Sequence, residues 1–324
     1  MTDNISNPGS TAPRKAESGW LSLRRPIATW QSLLFSALSI AIVFGVWWFV
    51  TRQEVREDRI IGYNTLPSPT ETFEEIKSLW FERALTRNAI TTIKRVALGF
   101  GLACAIGIPL GVLAGCFSRV RAMLSPLIIF GRNIPIAALI PLTFFFFGIA
   151  ESQKVMFIFL ASVSFIIADS SQAIKDVGQR YVDTAKTLGA STWQIMMKVL
   201  VPLAMPSVFN SLRVLFGLAF GYIMLAEVVK FGDEEGGLGH LISVSQRQGP
   251  REHIYLIILI IPVVAFAIDR FLFWAQRELF PHRYGGYGFL NRALGAVTGA
   301  WDNIKCSIMK PDDPGPPKPS EWRP

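Results

Sequence analysis

The apolar residues of this chain gather in runs of about twenty, the length a helix needs to cross a hydrocarbon layer ~30 Å thick. They cover roughly 30–50, 95–116, 127–147, 155–168, 208–229 and 254–274, with the fourth able to extend further into polar sequence. The pattern predicts an all-α polytopic membrane protein with about six spanning helices. No period or motif recurs between the two halves.

The connections carry their own signals. Between 51 and 92 the chain is polar, and Ser68, Pro69 and Glu71 form a capping box with proline at the first helical position. Phe73, Ile76, Leu79 and Trp80 follow on one face, which predicts a short helix on the extracytoplasmic membrane surface. In the second span Gly107, Gly111 and Gly115 recur every fourth residue, so another helix can approach closely there. Pro135 and Pro141 predict a kinked third span, because each lacks an amide donor.

The first run follows a polar stretch and has no small-residue cleavage site, so it reads as a retained helix and not a signal peptide. Residues 1–29 and 281–324 are expected to be disordered cytoplasmic tails, the latter ending in the proline-rich PDDPGPPKPSEWRP.

Composition supports the membrane reading: 51% of residues are hydrophobic and 17% charged, with a mean hydropathy of +0.36. A net charge of +8 could suggest nucleic acid, but no basic and aromatic platform accompanies it. The Lys and Arg residues sit instead between the apolar runs. Arg119, Arg121, Lys175, Arg180, Lys186 and Lys198 follow spans two and four, which places those connections and both termini in the cytoplasm. Lys154, Lys230, Arg247 and Arg251 lie on the other side, as do Arg52, Arg56, Arg59, Lys77, Arg83 and Arg87, although long segments weigh less in the rule.

The three cysteines include two within one apolar run, so a disulfide framework is not expected. His240, His253 and His282 show no metal-ligand spacing, and the chain has neither a phosphate-binding GxxxxGK[ST] loop nor a nucleophile elbow. No catalytic residue, metal or cofactor is expected in this chain.

The connection between spans four and five, residues 183–202 with the flanking YV, reads YVDTAKTLGASTWQIMMKVLVP. Gly189 suits the left-handed position that closes one short helix, and Ser191 with Gln194 forms a capping box that opens another. Pro202 is expected to break the chain ahead of the fifth span. Val182, Ala185, Leu188, Trp193 and Met196 offer an apolar surface, with Lys186 and Lys198 keeping it compatible with water. Periodicity leaves two readings open: a knob that docks into a groove on another protein, or a loop helix resting on lipid.

Asp183, Thr184 and Ala185, then Gly189, then Val199, Val201 and Pro202 resemble the EAA loop of permease subunits in bacterial ATP-binding-cassette importers. That loop is written Glu-Ala-Ala, three residues, Gly, nine residues, then Ile, any residue, Leu and Pro. Ala185, Gly189 and Pro202 match; Asp183, Thr184, Val199 and Val201 are conservative departures. LPSPTETFEEI, RVALG from Arg95, IPIAALIPL from Ile134, AEVV around Glu227 and GGLGHLI from Gly236 look like the nitrate, sulfonate and taurine branch, over roughly residues 66–282.

The resemblance implies the type I importer permease fold in a bacterial inner membrane. It implies that 183–202 docks into a separate ABC ATPase, which holds the ATP. It also implies an extracytoplasmic binding protein and a second permease copy, in a homodimer, as partners. The substrate class would be a small anion such as sulfonate, taurine, nitrate or bicarbonate, with vitamin precursors and aromatic acids as alternatives elsewhere in the family. A secondary transporter driven by an ion gradient is the rival of another class, and it predicts related halves and mid-membrane carboxylates.

Polar side chains in spans are costly and mark candidate pathway positions. Arg132 and Asn133 precede Pro135, Asn210 and Arg213 enter the fifth span, and Glu227 lies near its end. Arg213 can equally snorkel to the interface, and Glu227 can cap a loop. Asp169 and Asp269 read as structural partners.

Overall fold

A computed structural model describes residues 28–52, 65–148, 150–229 and 236–284. Of the expected disordered tails at 1–29 and 281–324, residues 1–27 and 285–324 lie outside the described residues, while Pro281–Tyr284 form a helical turn. The chain divides into two units, Met1–Pro69 and Thr70–Pro324.

The first unit contains α1 (Thr29–Thr51). Leu33, Leu34, Ile42 and Val46 are exposed along it, as suits a helix whose neighbour is lipid. At its end the Trp47 indole N–H donates to the Pro67 carbonyl at 3.0 Å. This is the amphipathic use of tryptophan expected near a membrane boundary.

The second unit holds α2 (Pro69–Glu74), α3 (Ile76–Phe81), α4 (Leu85–Cys116), α5 (Ser118–Asn133), α6 (Leu139–Phe147), α7 (Glu151–Lys175), α8 (Gln179–Thr187), α9 (Thr192–Ile195), α10 (Val201–Val228), α11 (Leu238–Gln248), α12 (Glu252–Leu279) and α13 (Pro281–Tyr284). Among the described residues, counting α1, five helices are long and apolar enough to cross a membrane, and α5 with α6 supplies a sixth if the bent pair is one span.

Packing centres on α4 against α7. Lipid is as apolar as leucine, so helices in a bilayer associate where small side chains let backbones touch. The expected glycine ladder performs this role. A Cβ on Gly107 would lie 2.8 Å from Ile166 Cγ2, and one on Gly115 would lie 2.6 Å from Ile174 Cβ. Gly99 and the fully buried Ala103 extend the same stripe toward the start of α4. Phe100 meets Phe216 of α10 edge to face, with ring centroids 5.3 Å apart. Phe157, Ile158, Phe220, Ile223 and Ile257 complete the core.

Several sequence expectations change. The surface helix is two helices, α2 and α3, with Leu79 buried while Phe73, Ile76 and Trp80 are exposed. The second span starts earlier, at Leu85, and the fourth runs from Glu151 to Lys175. The third is not one kinked helix: α5 ends at Asn133, a 3₁₀ turn covers Ile136–Ala138, and the two helical parts meet at 91°. Pro135 accounts for the break, since it holds the preceding Ile134 in extended backbone. Pro141 breaks nothing, because it lies in the first turn of α6, where amide donors have no intrahelical partner. Pro202 likewise does not interrupt the chain, because the helical register shifts just ahead of it.

Candidate functional site

The segment between α7 and α10 has the local geometry its sequence predicts. Gly189 has φ +76° and follows α8. Its N–H donates to Lys186 O at 2.9 Å, and the Ala190 N–H donates to Ala185 O at 3.0 Å. These two bonds are the Schellman closure of a helix. Ser191 Oγ accepts from the Gln194 N–H at 3.3 Å, and Gln194 Oε1 accepts from the Ser191 N–H at 2.9 Å, a complete capping box.

After α9 the residues Met196–Leu200 form a π-turn, in which the Val201 N–H donates to Met196 O. The ladder therefore shifts register just ahead of Pro202, whose missing donor falls at the shift. Thr192–Val228 is consequently one continuous rod of 37 residues. The expected break at Pro202 is replaced by this register change.

The apolar residues of the segment divide by direction. Ala185, Ile195 and Met196 are buried, and Met196 packs with Val112, Ile174 and Val208. Leu188 is 82% exposed and Trp193 65% exposed, one before and one after the glycine turn in the chain. Asp183 accepts from Gln179 Nε2 at 3.0 Å, and Thr184 Oγ1 donates to Arg180 O at 2.8 Å, both on the exposed side. Val199 and Val201 are half-buried and Pro202 is exposed. Met196 thus fastens the knob to α4, α7 and α10, while Leu188 and Trp193 stay on its exposed side.

Removing the cap tests the local argument. Ser191→Ala is expected to destabilise the α9 turn by about 1 kcal/mol, read as faster amide hydrogen exchange at Thr192–Ile195 with the spans unchanged.

The pathway candidates occupy separate places. Arg132 and Asn133 end α5 at the bend and are exposed. The Arg132 guanidinium lies 5.2 Å from the Phe165 ring centroid, and Asn133 Nδ2 donates to Ile129 O at 2.7 Å. Asn210 is exposed on α10. Arg213 donates to Asp269 Oδ1 at 2.8 and 3.2 Å and to Gln276 Oε1 at 2.9 Å, tying α10 to α12. Asp269 thus pairs across helices.

Glu227 is buried in a polar cluster at the opposite end of the rod from the knob. Its carboxylate accepts from Thr92 Oγ1 at 2.9 Å, from Arg95 Nη1 at 2.8 Å and from the Gly239 N–H at 3.0 Å. Arg95, 2% exposed, also donates through Nη1 to Gly236 O at 2.9 Å and through Nε to Glu151 Oε2 at 2.6 Å. A second Arg95–Glu151 contact makes that pair bidentate. Asn88 Oδ1 accepts from the Gly237 N–H at 2.8 Å, and Thr92 Oγ1 accepts from the Leu238 N–H at 2.9 Å. Gly236 and Gly237 have φ +120° and +108°, and a Cβ on Gly237 would lie 2.5 Å from Glu227 Oε1. The turn therefore has to be glycine to wrap this carboxylate.

Sequence reasoning missed this cluster, although RVALG, AEVV and GGLGHLI supply three of its parts. Charges at the start of the second span, the start of the fourth and the end of the fifth fall on one level in an alternating bundle. That alternation is the signal that could have found it.

Residues 107–281 match the family described as the binding-protein-dependent transport system inner membrane component. The chain belongs to this family. The bicarbonate transport system permease protein CmpB of Synechococcus elongatus is 31% identical, over 67% of this chain and 81% of CmpB. The taurine transport system permease protein TauC of Escherichia coli is 27% identical, over 82% of this chain and 95% of TauC. The inward-facing MetNI methionine ABC transporter superposes with a TM-score of 0.51 at 22% identity, covering 61% of this chain and 97% of that one. The fold is therefore that of the type I importer permeases, and the protein is a multi-pass permease subunit of an ABC importer.

Proposed function

We infer that residues 183–202 dock into a separate ABC ATPase and carry its motion into α10, while the chain itself hydrolyses nothing and holds no cofactor. The exposure of Leu188 and Trp193 on a doubly capped knob supports this reading most directly. The caps hold the turn between the two short helices in one conformation, as a lever's head requires, and the π-turn joins it to the rod. Arg180, Lys186 and Lys198 around the knob support a cytoplasmic location for it.

The substrate class is a small anion handed over by an extracytoplasmic binding protein, by relation to CmpB and TauC. Two copies of the chain enclose the pathway, with Arg132 and Asn133 at the bend as the nearest polar groups offered to it. Asn210 and Arg213 lie further along α10, with Arg213 already committed to Asp269.

Replacing the outward pair tests the docking role. Leu188→Ser with Trp193→Ser removes side chains that touch little of this chain, so folding and membrane insertion are expected to be unchanged. Co-purification with the ATPase and ATP-dependent uptake are expected to fall at least tenfold. Undiminished association would show that the knob is not the docking element.

A further inference from the structure

The docking segment and the buried Arg95–Glu227 cluster lie at opposite ends of one helix. The rod Thr192–Val228 has 37 residues, which at 1.5 Å per residue makes it about 55 Å long. Its first residues carry the exposed Trp193, and its penultimate residue is Glu227, 3% exposed. Nearer the knob, α10 is bonded to α12 and α13, through Arg213 to Asp269 and Gln276, through Pro206 O from Gln276 and through Ser207 Oγ from Arg283, whereas its far end is bonded to α4 and α11. Three donors from α4 and the start of α11 converge on the Glu227 carboxylate.

Arg95 fixes the cluster to two further elements. One edge of its guanidinium is bidentate on Glu151 at the start of α7, and Nη1 reaches Glu227 and the Gly236 carbonyl. Glu151 is itself 56% exposed and lies 3.8 Å from Lys154, so water and a second cation serve its charge. Glu227 has no such outlet. A buried carboxylate that loses its cation leaves an uncompensated charge, so this end of the rod resists partial displacement. The knob end, by contrast, joins the rod through a π-turn and is mostly exposed.

We propose that Arg95 and Glu227 form the fulcrum of the transport lever: the far end of α10 stays pinned to α4, α7 and α11 while the docked end swings. Both are positioning residues, and the proposal rests on the docking role of residues 183–202. A rod pinned at one end turns a displacement at the other into rotation across the bundle. An unpinned rod slides, and ATPase motion is dissipated.

The test uses the whole transporter, with its ATPase and binding protein, in lipid vesicles. Spin labels placed pairwise at Leu98 on α4 and at either Leu203 or Leu225 on α10 report the two ends of the rod, all three positions being exposed. In the wild-type background, ATP with vanadate is expected to shift the Leu98–Leu203 distance and leave Leu98–Leu225 fixed. Arg95→Met combined with Glu227→Gln removes both buried charges and keeps an acceptor for Thr92 and Gly239, so thermal stability and ATPase co-purification are expected near wild type. In that variant the Leu98–Leu225 distance is expected to shift and the Leu98–Leu203 change to be lost. Arg95→Met alone, which strands Glu227, is expected to lose stability as well.

A wild-type pattern of distances in the stable double variant would overturn the fulcrum and leave the docking role intact. A Leu98–Leu225 shift in the wild type would do the same. Failure of the wild-type chain to bind the ATPase would overturn both.

Discussion

Gly111→Leu is expected to remove nearly all folded protein from the membrane, whereas Gly101→Leu in the same helix is expected to be tolerated. At Gly111 a Cβ would lie 2.5 Å from Ser170 Cβ and 2.7 Å from the Ile167 carbonyl oxygen, while at Gly101 nothing lies within 4 Å. Neither neighbour can yield by a rotamer change: Ser170 Cβ is fixed to its backbone, and the Ile167 carbonyl belongs to the ladder of α7, so both move only with the helix. Overpacking a tight core typically costs about 1–3 kcal/mol, and more where the backbone must part. In a bilayer the loss is not offset by hydrophobic burial, since separated helices simply meet lipid. Because Gly107 and Gly115 sit one turn away on the same seam, prying α4 from α7 at Gly111 loosens those contacts too. Monodisperse yield after detergent extraction measures the outcome, with a drop of more than tenfold expected for Gly111→Leu and less than twofold for Gly101→Leu.

That seam is legible in the amino-acid sequence alone, because small residues at a four-residue interval state a face and a distance of approach. The knob at residues 183–202 is legible for a similar reason. Gly189, Ser191 and Gln194 act on their own neighbours, and local hydrogen bonding realises the turn and the cap they encode. The path of the third span is not legible. Whether a proline kinks, breaks or merely starts a helix depends on where the helix begins, and Pro135, Pro141 and Pro202 have three different outcomes. The π-turn at Met196–Leu200 has no composition signature of its own. It arises where a strong cap on one side and a proline on the other cannot share a single register.

The Arg95 cluster is hidden for another reason. The partners of Arg95 lie 56 to 141 residues away along the chain, so no local period joins them. Glu227 stands out as a charge in a span, but its partners are legible only as the ends of other spans. A span-end charge is usually read as marking a boundary. Here the ends of α4, α7 and α10 meet at one level and satisfy one another, and the glycines at 236 and 237 make room for the carboxylate.

Gly189→Val is expected to uncouple the protein without unfolding it. The residue holds φ +76° with open space around the position of a Cβ, so the whole effect of substitution comes through the backbone and none through a clash with the bundle. An L-residue in the left-handed region costs roughly 1–2 kcal/mol, and a β-branched one lies at the upper end or beyond it. Asparagine enters that region more readily. The expected order of damage is therefore Asn, then Ala, then Val. The penalty falls on the two Schellman bonds to Lys186 and Ala185, and the chain escapes it by abandoning the turn. Leu188 and Trp193 then lose their fixed relation although each remains exposed. If docking selects the turned conformer, a penalty of about 2 kcal/mol leaves that conformer a minority and weakens ATPase association by roughly thirtyfold. Thermal stability is expected to remain within a few degrees of wild type, because Ile195 and Met196 still anchor the segment from the inner side. Titrating the ATPase onto the Asn, Ala and Val variants in detergent measures the series. Equal affinity across the three would mean that the geometry of this turn is irrelevant to docking.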